Sequence, residues 1–324
     1  MATVGIIANP AAGKDIRRLV AQGRFIPNQE KVNVLKRVLA GLDAVEVERV
    51  VFMPDSAMLG RGAIDGMSLN LEVEFLEMTV FNEDNDSTRA ARLLAQMGIG
   101  CLITLGGDGT NRAVAKGSGG VPLVPVSTGT NNVFPSMVEG TLAGLAAGLI
   151  ARDLVDLSKA ATVSKRLEIY VNDALADIAL VDLAISKERF VGARAIWDME
   201  TIHEVFLTRA EPASIGLSSI GAQLQPVSMS DEQGIYLKIG AGGPVVTAPV
   251  APGMVIPVEL EEWHVIEIGE KIEVRLKLCT IALDGERTFT VLPSHEAFVT
   301  LSMDGPPVVS VEAALREAAI KGVF

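Results

Sequence analysis

Cysteine, histidine and aromatic residues are scarce in this chain of 324 residues, which has two cysteines, three histidines and 4% aromatics. Cys101 and Cys279 lie in separate apolar segments and cannot build a disulfide framework. The three histidines are too few and too scattered to form a zinc site. The sequence therefore predicts a protein of a reduced, cytoplasmic compartment.

An excess of positive charge is also missing. The chain has 28 lysines and arginines against 40 aspartates and glutamates, a formal net charge of −12. Binding to nucleic acid is not expected, because the neutralisation of phosphates requires clustered basic residues. An acidic chain is likewise repelled by anionic membrane surfaces. We therefore expect neither nucleic acid nor a membrane as a partner.

Long apolar segments suited to a membrane are absent as well. The uncharged stretch 239–258 contains four prolines, so it cannot form one membrane-spanning helix. The start of the chain has no basic leader, and we expect no signal peptide.

Several nucleotide-binding and catalytic motifs are missing too. Gly13 and Lys14 lack the preceding glycine of a phosphate-binding P-loop, since Ala8 stands in its place. The glycines at 107 and 109 do not continue into the dinucleotide-binding pattern G-x-G-x-x-G. The nucleophile pattern G-x-S-x-G and the protein-kinase signature are not found either.

The first half of the chain alternates between apolar strands and helical patterns, which is typical of βαβ units and a doubly wound parallel sheet. We assign residues 1–153 to this α/β domain. Strands are predicted at 4–8, 99–105 and 121–126. Helices are predicted over 31–42, from an Asp86 cap to Gly98, from Thr110, and from a capping box at Ser136 and Glu139 through Leu149.

The second half has short β-branched segments with proline and glycine between them, and long helical patterns are scarce. Strands are predicted at 167–171, 178–185, 235–239, 265–278 and 288–291. We expect a second, all-β domain over residues 154–307, with a sandwich-like architecture. The tail is helical again over 311–320, and we expect residues 308–324 to pack back on the first domain.

Three glycine-bearing loops each follow a predicted strand of the first domain: the first loop (residues 9–14), the second loop (106–110) and the third loop (127–132). In an open α/β sheet, ligands bind outside the carboxyl ends of the strands. Glycines allow close approach of the backbone, and the N–H groups at the start of a helix attract anions. Three such loops on one edge of the sheet predict a site for a chain of phosphates.

Asp108 is the informative residue of the second loop. A bare carboxylate about 4 Å from a phosphate charge is repelled by roughly 4 kcal/mol at an effective dielectric constant near 20. A carboxylate at this position is explained if Mg²⁺ bridges it to the phosphates or if the carboxylate accepts a proton from an attacking hydroxyl. Both are roles in phosphoryl transfer. Neutral donors and oxygen ligands come from Thr110, Asn131 and Asn132, and Lys14 supplies positive charge.

Each motif also has a purely structural interpretation. Asp-Gly pairs are turn signals, and this chain has four of them. The first loop can simply end a strand, and the third can be a helix cap. Asn172 and Asp173 follow a predicted strand and suit an ordinary hairpin turn. The conjunction of the three loops, each at its own strand end, favours a nucleotide site.

At this point the motifs resemble a known family. Residues 106–110 resemble the signature loop of the NAD kinase and diacylglycerol kinase-like superfamily. Residues 7–14 and 127–132 resemble the two phosphate loops of its lipid-kinase branch, and 241–244 and 283–286 are similar to second-domain motifs of NAD kinases and lipid kinases. In motif order and length the chain most resembles the ATP-NAD kinase-like acetoin catabolism X branch.

The resemblance implies the two-domain fold of that superfamily and a kinase that uses ATP and Mg²⁺. Asp108 matches the aspartate that NAD kinases use on the acceptor hydroxyl, the adenosine ribose 2′-OH, and it is the expected metal ligand. Glu286 matches an acidic residue of lipid kinases that is given the role of base. Asn172 and Asp173 match the pair with which NAD kinases hold the dinucleotide. Together with the other loop residues, the predicted ATP-binding set is Asn9, Gly13, Lys14, Gly106, Gly107, Gly109, Thr110, Thr128, Gly129, Thr130, Asn131 and Asn132.

Three functions remain open at this stage. By resemblance, NAD is the first expected acceptor, and a homo-oligomer is expected. Residues 235–240 replace the segment Pro-Thr-Gly-Ser-Thr-Ala-Tyr of NAD kinases, so the dinucleotide contacts of that segment are gone. A lipid or a small polyol is the alternative acceptor. A non-catalytic, nucleotide-sensing protein of acetoin catabolism is the third possibility.

Overall fold

The computed structural model describes residues 1–13, 23, 26–188 and 199–324. It confirms the predicted fold class, with an N-terminal α/β domain around a parallel sheet followed by antiparallel sheets. Among the residues that the structure describes, none of the helices combines the length and the hydropathy of a membrane-spanning segment.

The first sheet has the order β3-β2-β1-β4-β5-β18-β6. Strands β1 to β5 run parallel, β18 is parallel to β5, and β6 forms an antiparallel edge. Its strands are β1 (Thr3–Ala8), β2 (Arg49–Phe52), β3 (Glu72–Phe75), β4 (Cys101–Gly106), β5 (Leu123–Ser127), β6 (Ala161–Val163) and β18 (Pro307–Val309).

Helices cover both faces of this sheet, as a doubly wound fold requires. They are α1 (Asn28–Ala44), α2 (Leu59–Ile64), α3 (Asp84–Gln96), α4 (Asp108–Ser118), α5 (Gly140–Ala151), α6 (Leu157–Ala160) and, from the end of the chain, α8 (Val311–Lys321). Strand β1 shows the two faces, because Ile6 packs in a cluster with α1, α5 and α8, whereas Ile7 packs in a cluster with α3 and α4. The tail helix thus lies on the first sheet.

The second half forms two packed antiparallel sheets, of orders β12-β13-β11-β10-β9-β15-β16 and β14-β17-β7-β8. Buried side chains such as Ile185 of the larger sheet and Val299 of the smaller one share the core between them. The other face of the larger sheet packs on α7 (Ser218–Ala222). The strands are β7 (Arg166–Val171), β8 (Ala174–Ala179), β9 (Asp182–Ser186), β10 (Ile202–Leu207), β11 (Gln233–Ile239), β12 (Val245–Ala251), β13 (Met254–Glu267), β14 (Lys271–Glu273), β15 (Cys279–Leu283), β16 (Glu286–Val291) and β17 (Ala297–Ser302).

Several local predictions were wrong. Ser136 does not open a helix, because its backbone pairs with Pro125 and Ser127 at the end of β5. Glu139 caps α5 instead, and its side chain accepts hydrogen bonds from the first N–H groups of the helix. Asp86 is the third residue of α3 and closes its capping box, whereas Glu83 is the N-cap.

Two predicted strands of the second half were also wrong in extent. The segment 178–185 divides into β8 and β9, because the backbone turns at Leu180 and Val181 to bind the carboxylate of Asp284. The segment 265–278 contains the end of β13, then β14 and an irregular stretch.

Candidate active site

The three loops lie in contact at the carboxyl edge of the first sheet. Asn9 Nδ2 donates a 2.9 Å hydrogen bond to Thr110 Oγ1 and so joins the first loop to the second. A Cβ added to Gly107 would lie 2.8 Å from Asn132 Oδ1, which shows how closely the second and third loops approach. The structure therefore brings together the described parts of all three loops.

Gly13 shows why the first loop needs a glycine. Its φ of 78° lies in the left-handed region, where a side chain is strained. A Cβ at this position would also lie 3.3 Å from the carbonyl oxygen of Thr128. Gly13 therefore permits both the turn and the contact between the first and third loops. Lys14, predicted to supply positive charge, lies outside the described residues.

Asp108 opens α4, and its carboxylate is held by the chain that follows the third loop. Its Oδ1 accepts hydrogen bonds from the backbone N–H groups of Val133 at 3.1 Å and Phe134 at 2.8 Å. Its Oδ2 accepts from Val133 at 3.1 Å as well. The half-buried side chain thus has a fixed orientation before any ligand binds.

Asp108 lines a cavity between the first sheet and the antiparallel sheets, here called the interdomain cavity. Its polar lining combines carboxylates with an amide, from Asp108, Asn131, Asp182 and Asp284. Its apolar lining comes from the second half of the chain and is called the apolar wall, with Met199, Ile215, Leu217, Val250, Ala251 and Met254. A carboxylate that faces such a wall can meet a hydroxyl on a molecule with an apolar body.

Glu286 lies beside the second loop. A Cβ built on Gly109 would be 3.4 Å from its Oε2, so the carboxyl group is next to the start of α4. It begins β16, directly after the two-residue turn at Asp284 and Gly285, both of which have positive φ. The structure therefore places the second predicted catalytic carboxylate beside Gly109, the residue that follows Asp108.

Asp284 is fully buried and connects the two halves of the chain. Its carboxylate accepts hydrogen bonds from the N–H groups of Leu180 at 3.0 Å and Val181 at 2.8 Å, and Arg112 Nε of α4 lies 3.7 Å from it. Burial raises its pKa to about 6, and the Arg112 charge and the N–H groups oppose that rise. The same α4 helix is tied to β8 by ion pairs from Arg112 and Lys116 to Asp177.

Arg209 is a charged residue near the cavity that the sequence did not indicate. Its guanidinium is buried and lies 5.3 Å from the ring centre of Phe134, whose N–H holds Asp108. Burial lowers its pKa, and the charges of Glu211, Asp108 and Asp284 oppose this. Within the described part of the chain, Arg209 Nε has no hydrogen-bond acceptor. A lone arginine in a mixed segment gives no sequence signal for this position.

The third loop contains buried oxygen atoms that lack partners. Thr128 Oγ1 and Asn131 Oδ1 have no hydrogen-bond partner among the residues that the structure describes. Asn132, by contrast, donates to Ser127 Oγ at 2.8 Å and shapes the loop, together with the bond from Ser127 Oγ to Gly129. Thr130 is exposed. Buried polar atoms usually have a partner, so Thr128 and Asn131 fit a bound phosphate or a metal ion.

Lys31 is the second residue that sequence analysis missed. It lies fully buried in the first turn of α1. Its ammonium group donates to the carbonyl oxygens of Asn9 at 3.1 Å, Pro10 at 3.0 Å and Ala12 at 3.0 Å. The sequence predicted the helix over 31–42 but not this role of Lys31. The lysine and the carbonyl groups that it binds are about twenty residues apart, and they meet only when the first loop is folded.

Asn172 and Asp173 form the turn between β7 and β8, both with positive φ. Asn172 is bonded to the backbone of Glu296 through its N–H and its Oδ1. Neither residue is among the described residues that line the interdomain cavity. The pair lies at the far end of β8 from Leu180, about 20 Å away at the rise of an extended strand. The structure therefore does not bring it to Asp108.

Comparison with known proteins finds relatives for both halves of the chain. Residues 4–154 match the family described as the ATP-NAD kinase N-terminal domain. Residues 165–304 match the family described as the acetoin catabolism protein X C-terminal domain. The chain is 40% identical, over 332 aligned positions, to acetoin catabolism protein X of Cupriavidus necator, and the alignment covers 97% of this chain and 92% of that protein.

Proposed function

The chain belongs to the acetoin catabolism protein X family, with an N-terminal domain of the ATP-NAD kinase type, and from this premise we propose that it is an ATP- and Mg²⁺-dependent kinase with a hydroxyl acceptor. One observation carries the proposal. The three glycine loops meet beside Asp108, and that carboxylate lines a cavity between the two halves of the chain.

The donor phosphates would lie along the three loops. The N-terminus of α4 offers backbone N–H groups and a partial positive charge, which favour anions. Thr128 can donate its hydroxyl hydrogen to a phosphate oxygen. A second cavity begins at the first loop and is lined by Asn9 and Pro10 together with Asp55 and Asp84. Carboxylates suit the hydroxyl groups of a ribose, so the nucleoside of the donor fits there.

Mg²⁺ prefers oxygen ligands and usually binds through one or two carboxylates and the substrate phosphates. Beside the phosphate loops this chain offers two such ligands in its described part: Asp108, and Asn131 Oδ1, which has no hydrogen-bond partner there. No group of three or more histidine, cysteine or acidic side chains within the described ranges is arranged to hold a metal ion alone. The metal, when bound with the phosphates, would neutralise their charge.

The chemistry assigned to the chain itself is orientation and proton transfer. The two N–H groups that hold Asp108 fix its carboxylate toward the cavity, where it would accept the proton of the acceptor hydroxyl. Glu286, beside the start of α4, is the second carboxylate in reach of that position. The apolar wall would exclude water from the transferred phosphoryl group.

Two classes of acceptor are compatible with this site. NAD follows from the kinship with ATP-NAD kinases. A small hydroxyl compound with an apolar body is favoured by two observations of the structure: Asn172 and Asp173 lie at a distant hairpin turn, and most other residues that line the cavity with Asp108 are apolar.

Purified protein incubated with ATP, Mg²⁺ and either NAD or a panel of uncharged hydroxyl compounds tests the proposal by mass spectrometry of the products. NADP supports the first acceptor, and another phosphorylated product supports the second. Tight ATP binding without acceptor-dependent release of ADP would contradict a kinase and favour a nucleotide-sensing protein.

A further inference from the structure

Lys31 is unusual because a fully buried ammonium group lies beneath a loop of the candidate active site. Lysine has three N–H donors and no acceptor. Here three carbonyl oxygens, those of Asn9, Pro10 and Ala12, accept from Nζ within 3.1 Å. Hydrogen bonds to a charged group are stronger than those between neutral groups, so this contact fixes the backbone of the first loop.

The direction of these carbonyl groups matters for the ligand side of the loop. In a trans peptide the N–H points opposite to the C=O of the same unit. Since the carbonyl of Ala12 points at Lys31, the N–H of Gly13 points away from the buried ammonium. Gly13 itself borders Thr128 of the third loop, so the residue whose N–H is turned away from Lys31 lies where the two phosphate loops meet.

We propose that Lys31 is the positioning residue of the phosphate-binding loop: it draws the loop carbonyls inward, turns the amide of Gly13 outward and places positive charge under the oligophosphate of the donor. This inference rests on the proposed function, because it concerns the same loops. It assigns to the start of α1 a role in binding that its amphipathic pattern alone does not reveal.

The chain offers a matched control in Lys165, which is also buried. Its Nζ donates to the backbone carbonyls of Ser228 at 2.9 Å and Gln233 at 2.6 Å, in the second half of the chain. Both lysines therefore stabilise the backbone by the same kind of contact, but only Lys31 does so under a phosphate loop.

Calorimetric titration of the full chain with tripolyphosphate and, separately, with adenosine tests the proposal. Lys31→Met should weaken tripolyphosphate binding roughly 10- to 100-fold, the equivalent of one charge-assisted hydrogen bond, and leave adenosine binding unchanged. Lys165→Met should lower the melting temperature without changing tripolyphosphate affinity. The proposal is overturned if folded Lys31→Met binds tripolyphosphate like the wild type. It is also overturned if Lys31→Met loses as much affinity for adenosine as for tripolyphosphate, or if Lys165→Met loses as much tripolyphosphate affinity as Lys31→Met.

If Lys31→Met does not fold, Lys31→Gln keeps two N–H donors and should show a smaller, still selective loss. Hydrogen exchange on the wild type gives an answer without any variant, because tripolyphosphate should protect the amide of Gly13, and unchanged exchange there contradicts the proposal. A wild type that binds neither ATP nor tripolyphosphate would refute the proposed function itself. A wild type that binds both, with Lys31→Met unaffected, would refute only the role of Lys31.

Discussion

At the scale of single residues, Asp108 is central to the proposed phosphoryl transfer. Its carboxylate is held by two consecutive backbone N–H groups and lines the interdomain cavity. Such an arrangement orients an oxygen for proton transfer at no further cost in ordering. A purely structural Asp-Gly turn would not require the carboxylate to face a cavity.

Asp108→Asn should lower turnover about 10²- to 10⁴-fold, because the amide cannot act as a base, while the fold stays intact. The loss of activity is measured as turnover with ATP and the acceptor that the product analysis identifies. The melting temperature shows whether the fold is intact. The matched control is Asp43→Asn, because Asp43 also accepts two consecutive backbone N–H groups, those of Asn70 and Leu71, away from the loops. Near-normal turnover of Asp108→Asn would remove this residue from the mechanism.

Asp284 gives a prediction on pH. Burial raises its pKa from 3.8 to about 6 in the folded chain. Folding therefore favours the protonated form of Asp284. This contribution to the free energy of unfolding is fully present below about pH 4, and it is lost as the pH rises through 6, by at most about 3 kcal/mol. Relative to Asp284→Asn, the wild type should lose unfolding free energy between pH 4 and pH 7, as measured by urea unfolding.

The control for this titration is Asp231, an exposed carboxylate whose pKa is lowered by its hydrogen bonds with Ser228. Its contribution is present above its unfolded pKa and is lost only as the pH falls below about 4. The difference between wild type and Asp231→Asn should thus be constant from pH 4 to pH 7. A wild type that gains stability over Asp284→Asn with rising pH would contradict the burial argument.

At the scale of elements, close helix packing positions the first loop. Helix α1 carries Lys31 and packs against α5, where a Cβ added to Gly144 would overlap the carbonyl oxygen of Val38. A clash with backbone cannot be relieved by a rotamer change.

Gly144→Ala should therefore destabilise the chain by roughly 1–3 kcal/mol, although alanine is the better helix former. The free energy of unfolding in denaturant measures the effect. Gly120→Ala is the control, because a Cβ there meets nothing within 4 Å. Equal stability of both variants would show that α1 and α5 adapt more easily than their contact suggests.

The elements also show what the sequence could and could not predict. The strands before the three loops were predictable, because fully buried parallel strands read as apolar runs, and each run here ends at polar, glycine or proline residues. The opening of α5 was not, because Ser136 pairs with the backbone at the end of β5. The break between β8 and β9 depends on Asp284, a hundred residues further along the chain.

The residues of the candidate site likewise divide into those that a local motif indicates and those that depend on distant contacts. Loop residues such as Asn9, Asp108 and Asn131 were predictable from local motifs. Lys31 and Arg209 were not, because a buried charge acquires its role from tertiary contacts that no local pattern records.

At the scale of the whole molecule, the site lies where two architectures meet. The first sheet supplies the phosphate loops, and the antiparallel sheets supply the apolar wall, Asp284 and Glu286. Helix α4 connects them, since it begins at Asp108 and is bound to both Asp177 and Asp284 through Arg112. Phosphoryl transfer depends mainly on positioning, and this junction can provide it. A homo-oligomer and a cytoplasmic location stay predictions.

The most direct test of the central claim is a crystal structure with Mg²⁺ and a non-hydrolysable ATP analogue. The triphosphate should lie across the three loops, with its oxygens at the amides of residues 107–110 and the metal beside Asp108. A triphosphate bound elsewhere on the chain, or an analogue that leaves these loops untouched at saturating concentration, would contradict it.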